Sequence, residues 1–221
     1  MATTASPVTA YEHLRADLLG GKWQPGQKLL MHRMREHYHI GASPLREALN
    51  RLAAEGLVVH NKQRGFVVAE TSAESLRDLV QTRISLEALA LGMAFDKRTP
   101  QWEEDLVIAF HRLSRTPRSI QATSFEENQE WEQLHRAFHA TLLKACCSPT
   151  LIGFCDELYD KAYRYRQLAA RTAYKRRNEQ DEHREIFDAV MENRLENAIS
   201  LLTVHYQRTA DIIEKNGHRD P

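Results

Sequence analysis

Residues 43–58 read SPLREALNRLAAEGLV, and the rest of the chain is best read outward from them. Leu45, Ala48, Leu49 and Leu52 recur at helical spacing as one apolar stripe, which predicts a helix with a single packed face. Arg46, Glu47, Asn50 and Arg51 fall away from that stripe and are left for solvent or a partner. Ser43 before Pro44 reads as the helix start: serine can cap free N–H groups, and proline at the first position gives up none that were bonded. Gly56 closes the segment.

Upstream, Tyr11, Leu14, Leu18 and Leu19 predict a first helix that stops at Gly20-Gly21. Pro25-Gly26 is a turn pair, and a second helix is expected from about Met31 to Tyr38, broken by Gly41. Downstream, LVVH and FVVAE flank the polar tip Asn61–Gly65 and read as a hairpin. Helix, helix, turn, helix, hairpin is a winged helix-turn-helix, expected over residues 9–70 behind a disordered terminus of residues 1–8.

Charge sharpens this. The 221-residue chain has no net formal charge, yet residues 22–64 carry eight Lys or Arg against three acids, so that window is net +5 and the remainder net −5. A helix in a major groove needs donors aimed at base edges and phosphates, and Arg46, Asn50 and Arg51 supply them. Lys62 and Arg64 lie beside Gly65 at the hairpin tip, where the missing side chain lets the backbone approach DNA. The bland alternative is that these are solvated surface charges. Three clustered cysteines, Cys146, Cys147 and Cys155, are an odd count that argues against a disulfide framework and suits the cytoplasm. The start lacks a signal-peptide pattern, and no stretch approaches the roughly 18 apolar residues that span a bilayer.

Thr71 followed by Glu74 is a capping-box pattern that opens a second domain directly after the wing. Helical stretches are expected at about 72–96, 100–114, 121–146, 148–171, 174–192 and 195–214, with nothing resembling a strand between them. The fold class is therefore mainly α: a winged helix-turn-helix plus an antiparallel helix bundle over 71–214, with 215–221 as a tail.

Within the bundle, His135 and His139 are four apart and share a helix face, while His183 and His205 sit on later stretches that otherwise carry core residues. Imidazoles gathered from three helices would supply nitrogen ligands for a divalent metal, with Zn or Ni suited better than Mg or Ca. The alternative is that each histidine hydrogen-bonds locally in the bundle.

The SPLREALNRLAAEGLV stretch with its short wing resembles the GntR family of bacterial regulators over residues 11–69. That family commonly has a Ser-Arg-Thr-Pro-type start where this chain has Gly41-Ala42-Ser43-Pro44, and His32 stands where a DNA-contacting arginine is usual. The resemblance adds Ser43, and Arg33 and Arg35 as neighbouring substitutes, to the expected DNA contacts.

Residues 75–212 resemble the FCD ligand-binding domain of the FadR subfamily. Its metal-binding members carry Asp-x-x-x-His on one helix and single histidines on two later ones, which correspond here to His135, His139, His183 and His205. Histidine in the first position is similar to regulators of glutarate and other short-chain acid catabolism. The resemblance also assigns Arg83 to an effector cavity, where a guanidinium can grip a carboxylate, with Arg164 and Arg166 as further candidates. An intrahelical pair between Arg83 and Glu87 is the competing reading. These features imply a homodimeric repressor that binds operator DNA under control of a small organic acid. A helical-bundle metalloenzyme is disfavoured because di-iron bundles need two Glu-x-x-His pairs, and only Glu132 with His135 qualifies. A TetR-like regulator would lack the wing.

Overall fold

The computed structural model describes residues 7–61, 63–70, 72–174 and 177–217, in two compact units that divide between Ser72 and Ala73. Lys62 of the expected DNA contacts and Thr71 of the expected capping box lie outside the described residues.

In the first unit, α1 (Pro7–Leu19), α2 (Met31–Tyr38) and α3 (Ala42–Ala54) precede an antiparallel hairpin of β1 (Val58–Asn61) and β2 (Gly65–Val68). The helix α1 takes in Pro7 and Val8, which the sequence assigned to the terminus. Its Leu14 and Leu18 pack with Met34 of α2 and the α3 stripe of Leu45, Ala48, Leu49 and Leu52 in a small buried core. The hairpin joins that core through Val58, Phe66 and Val68. The turn chemistry is visible: Asn61 Oδ1 accepts from the backbone N–H of Gln63 and Arg64, and Gly65 adopts φ +75°. A Cβ at Gly65 would meet nothing within 4 Å, so backbone conformation rather than space calls for glycine there. The segment after Pro25-Gly26 bonds to the outer edge of β2, with Leu29 N–H donating to Phe66 O and Val68 N–H to Gln27 O.

One detail of α3 differs from expectation. Its N-cap is Gly41 with no side-chain cap bond, so Ser43 and Pro44 sit two residues further inside the first turn. Proline is tolerated there because first-turn N–H groups have no intrahelical acceptor.

The second unit is α4 (Ala73–Asp96), α5 (Pro100–Arg115), α6 (Gln129–Lys144), α7 (Pro149–Ala173), α8 (Glu179–Met191) and α9 (Leu195–Gly217). The helix α4 runs against α6, α7 and α9, while α5 packs on α6 and α8. One apolar cluster, including Leu91, Leu106, Phe138, Leu142, Ile186 and Leu202, joins all of these helices. Thr99, Asn128, Ser148 and Asn178 cap α5 to α8 through their side-chain oxygens.

Two boundaries correct the sequence reading. Residues 121–128, expected as helix, are irregular because Ser119 satisfies the backbone instead: its Oγ donates to Ser124 O and accepts from Gln121 and Glu126 N–H. Asn128 then starts α6. The helix α9 also runs on to Gly217, into the expected tail. Among the described residues, no helix is long and apolar enough to cross a membrane.

Candidate metal centre and DNA-reading surface

Four helix-borne imidazoles meet inside the second unit. His135 and His139 come from α6, His183 from α8 and His205 from α9. Each is 2–4% exposed, and one ligand atom from each lies within 4.8 Å of the others. The stripe that packs α6 onto the bundle also carries Trp131, Phe138 and Leu142, so the packing that buries them turns both histidines inward.

The outer nitrogens have partners. His205 Nδ1 is 2.7 Å from Glu182 Oε2. Glu182 is held by Arg177 and Arg208; burial alone would raise its carboxyl, but these guanidinium groups outweigh it and keep the group ionised. An ionised carboxylate only accepts, so His205 carries its proton on Nδ1. The Tyr206 hydroxyl donates to Glu87 Oε2 at 2.5 Å and stands 3.1 Å from His139 Nδ1, which must therefore donate to the phenolic oxygen. His135 Nδ1 contacts the Tyr159 hydroxyl at 2.7 Å. Partners on Nδ1 leave Nε2 to converge: His135 Nε2 and His139 Nε2 are 3.2 Å apart, and His183 Nε2 is buried with no hydrogen-bond partner.

Burial, reinforced by neighbouring imidazoles, pushes His135, His139 and His205 far below the usual histidine range. His183 is pushed down to about 3, again chiefly by burial. All four are neutral near pH 7, the state in which an imidazole ligates metal. Zn–N bonds of about 2.0–2.1 Å place tetrahedral nitrogens roughly 3.4 Å apart, so a spread of up to 4.8 Å asks for only a small contraction. The donor set, its outer partners and the unpartnered His183 nitrogen fit a divalent ion.

His183 also lines a cavity of about 330 Å³, together with Phe110, Trp131, Tyr174, Arg118 and Arg177. That volume falls within the range of small-molecule sites. None of the arginines expected in an effector site lines this cavity. Arg83 is 2% exposed, donates to Glu87 at 2.6 Å and to Tyr206 at 3.2 Å, and its guanidinium faces the Tyr206 ring. The intrahelical pair with Glu87 is thus the arrangement formed, and it braces the His139 side of the cluster. Arg166 donates to Tyr159 O and Glu132, and neither it nor the buried Arg164 lines the cavity. Glu132 is committed to Arg166 and Gln167, which removes the one Glu-x-x-His pair from the candidate ligands.

Sequence reasoning missed Tyr159, Tyr206, Glu182, Arg118 and Arg177. Glu182 and Tyr206 directly adjoin His183 and His205 in the chain, and that adjacency was the available signal.

In the first unit, Arg33, Arg35, Ser43, Arg46, Asn50 and Arg64 are all exposed. Arg51 is exposed but braced, its guanidinium 3.9 Å from the Tyr11 ring centroid and 3.8 Å from Glu55. Arg46 and Asn50 share the open face of α3, opposite its buried stripe.

Comparison with known proteins bears on both units. The family model of bacterial regulatory proteins of the gntR family matches residues 8–68, and the FCD domain model matches residues 78–208. The chain is 32% identical over 207 residues to the uncharacterized HTH-type transcriptional regulator BphR of Paraburkholderia xenovorans (strain LB400), covering 94% of this chain and 84% of that one. It is 31% identical to the HTH-type transcriptional repressor GlaR of Escherichia coli (strain K12), covering 96% of this chain and 97% of that one. Among solved structures, E. coli McbR/YncC aligns with a TM-score of 0.71 at 19% identity, over 97% of this chain and all (100%) of that one, a likeness of fold alone.

Proposed function

The chain belongs to the GntR family of DNA-binding transcription regulators and carries an FCD domain, and on that premise we propose that it is a cytoplasmic homodimeric repressor released from its operator by a small organic acid. The observation that carries this reading is the double position of His183, a member of the four-histidine cluster and of the cavity wall. A divalent ion, Zn or Ni rather than Mg or Ca, would be held by His135, His139, His183 and His205. It would offer a Lewis-acidic coordination site to a ligand carboxylate in the cavity.

Arg46, Asn50 and Arg64 read the operator, with Arg33, Arg35, Ser43, Arg51, Lys62 and Gly65 supporting phosphate contact and close approach. Two copies on a pseudo-palindromic site place one α3 in each of two major grooves. The effector, a short dicarboxylate such as glutarate in the leading version, acts by binding the weakly DNA-binding state more tightly than the other. The relative named as a repressor supports the sign of regulation. Neither the family nor the relatives named here are enzymes.

The test is a fluorescence-anisotropy titration of the purified chain onto its own promoter DNA at fixed salt, with and without glutarate and with a chelator. Specific binding, weakened by glutarate only in metal-replete protein, is the expected result. Indifference of operator affinity to glutarate, to other short carboxylates and to the chelator would overturn the sensing half of the proposal.

A further inference from the structure

The ion pairs around the cavity share their carboxylates unevenly. Four guanidinium groups, Arg118, Arg166, Arg177 and Arg208, share three carboxylates, Glu132, Glu179 and Glu182. Glu182 is bound by Arg177 and Arg208, and Glu132 by Arg166. Glu179 pairs with Arg118 through one oxygen and with Arg177 through the other, at 3.3 Å in the second case. Arg118 therefore shares its carboxylate with a second guanidinium. Its Nη2 donates only at 3.4 Å to Arg166 O, and its buried Nε has no partner. A buried donor without an acceptor is costly. Burial correspondingly draws Arg118 down to about 10, although Glu132 opposes the shift.

The Arg118 side chain belongs to the cavity wall. Arg118, Arg177 and Glu179 all line the cavity, and the Arg118 guanidinium lies 4.9 Å from the Trp131 ring centroid. Much of the remaining wall is apolar, with Phe110, Leu113, Ala170 and Ile212 among its members.

We propose that Arg118 is the carboxylate anchor of this cavity, and that Glu179 is a built-in competing anion that sets the ligand concentration at which the anchor is taken. The ligand class is a carboxylate on an apolar body, docked on the Nε edge of Arg118. Glu179 is the first residue of α8, the helix that carries His183 one turn on, so loosening its hold on Arg118 acts on the metal-bearing helix directly. The inference rests on the cavity being the effector site, and the sign it gives to a mutation at Glu179 is its own: removing that acid tightens ligand binding.

Calorimetric titration of the full-length chain with glutarate and with benzoate, with neutral glutaramide as control, tests it alongside the operator assay. Glu179→Gln is expected to lower the carboxylate Kd at least fivefold and to shift operator release to correspondingly lower concentration. Arg118→Met is expected to raise Kd tenfold or more. Arg118→Lys keeps the charge, loses the Nε edge and should weaken binding at unchanged melting temperature, which covers the case in which Arg118→Met fails to fold. Glutaramide should bind none of the proteins measurably. If glutarate releases wild-type operator complexes while folded Glu179→Gln and Arg118→Lys keep the wild-type Kd, the anchor is overturned and the effector reading stands. If Glu179→Gln tightens carboxylate binding without any change at the operator, the anchor stands and the regulatory reading falls. Absence of carboxylate binding to both wild type and Glu179→Gln overturns both.

Discussion

The two units of this protein treat charge in opposite ways. The first unit leaves Arg33, Arg35, Arg46 and Arg64 exposed around a core that, among the described residues, is made only of apolar side chains. The second buries Arg83, Glu87, Glu132, Arg166, Glu182 and four histidines among its helices. An exposed cation costs little to maintain and interacts through water with a polyanion, as operator reading requires. A buried charge needs a matched partner, and unmatched members respond strongly to small molecules and to pH. On the proposed function, the difference gives surface charge to recognition and interior charge to sensing.

The contrast can be broken most forcefully at the buried pair. Glu87→Leu leaves Arg83 without its carboxylate and should cost about 3–5 kcal/mol in urea denaturation, whereas adding Arg83→Met in the same chain should recover much of that loss. A double variant no more stable than the single one would show that the pair is not the source.

Acid probes the histidines. An unfolded chain protonates them near 6.5, whereas folded His183 resists to about 3 and the other three are also held down by burial. The unfolded state therefore binds protons that the folded state refuses, and stability should fall as pH drops from about 6.5 toward 3, by about 1.4 kcal/mol per pH unit for each such histidine. Trp131, stacked on His135 with centroids 4.6 Å apart, provides the fluorescence signal. A denaturation midpoint flat across that window would contradict the neutral cluster.

At the recognition surface, Arg46→Ala should weaken operator binding by about 1–3 kcal/mol and leave the melting temperature of the chain unchanged. Equal loss on random duplex would reduce Arg46 to a phosphate contact. The smallest effect belongs to a cap: Asn128→Ala should destabilise the second unit by about 1 kcal/mol, read by thermal melting.

Much of this could be read from the chain because it is local. The Leu45-Ala48-Leu49-Leu52 stripe and the hairpin need only near neighbours, and both are present. The four histidines stood out individually because each interrupts an apolar helical face. What could not be read was long-range or irregular. Tyr159 and Tyr206 meet His135 and His139 from 24 and 67 residues away, and no spacing rule announces such partners. Residues 121–128 carried a helical pattern, but the Ser119 hydroxyl competes for their backbone, and Arg118 lies just before that misread segment. Arg83 and Glu87 had the spacing of a pair all along; whether a cavity claimed Arg83 first depended on helices elsewhere in the chain.

Cobalt titration of the chelator-treated protein tests the buried centre most directly. One equivalent per chain should bind with the intense visible absorption of a nitrogen-rich, low-coordinate site, and His183→Ala should abolish it while leaving operator affinity in the absence of metal intact. Binding of equal strength in His183→Ala, or no binding at millimolar cobalt, would contradict the account.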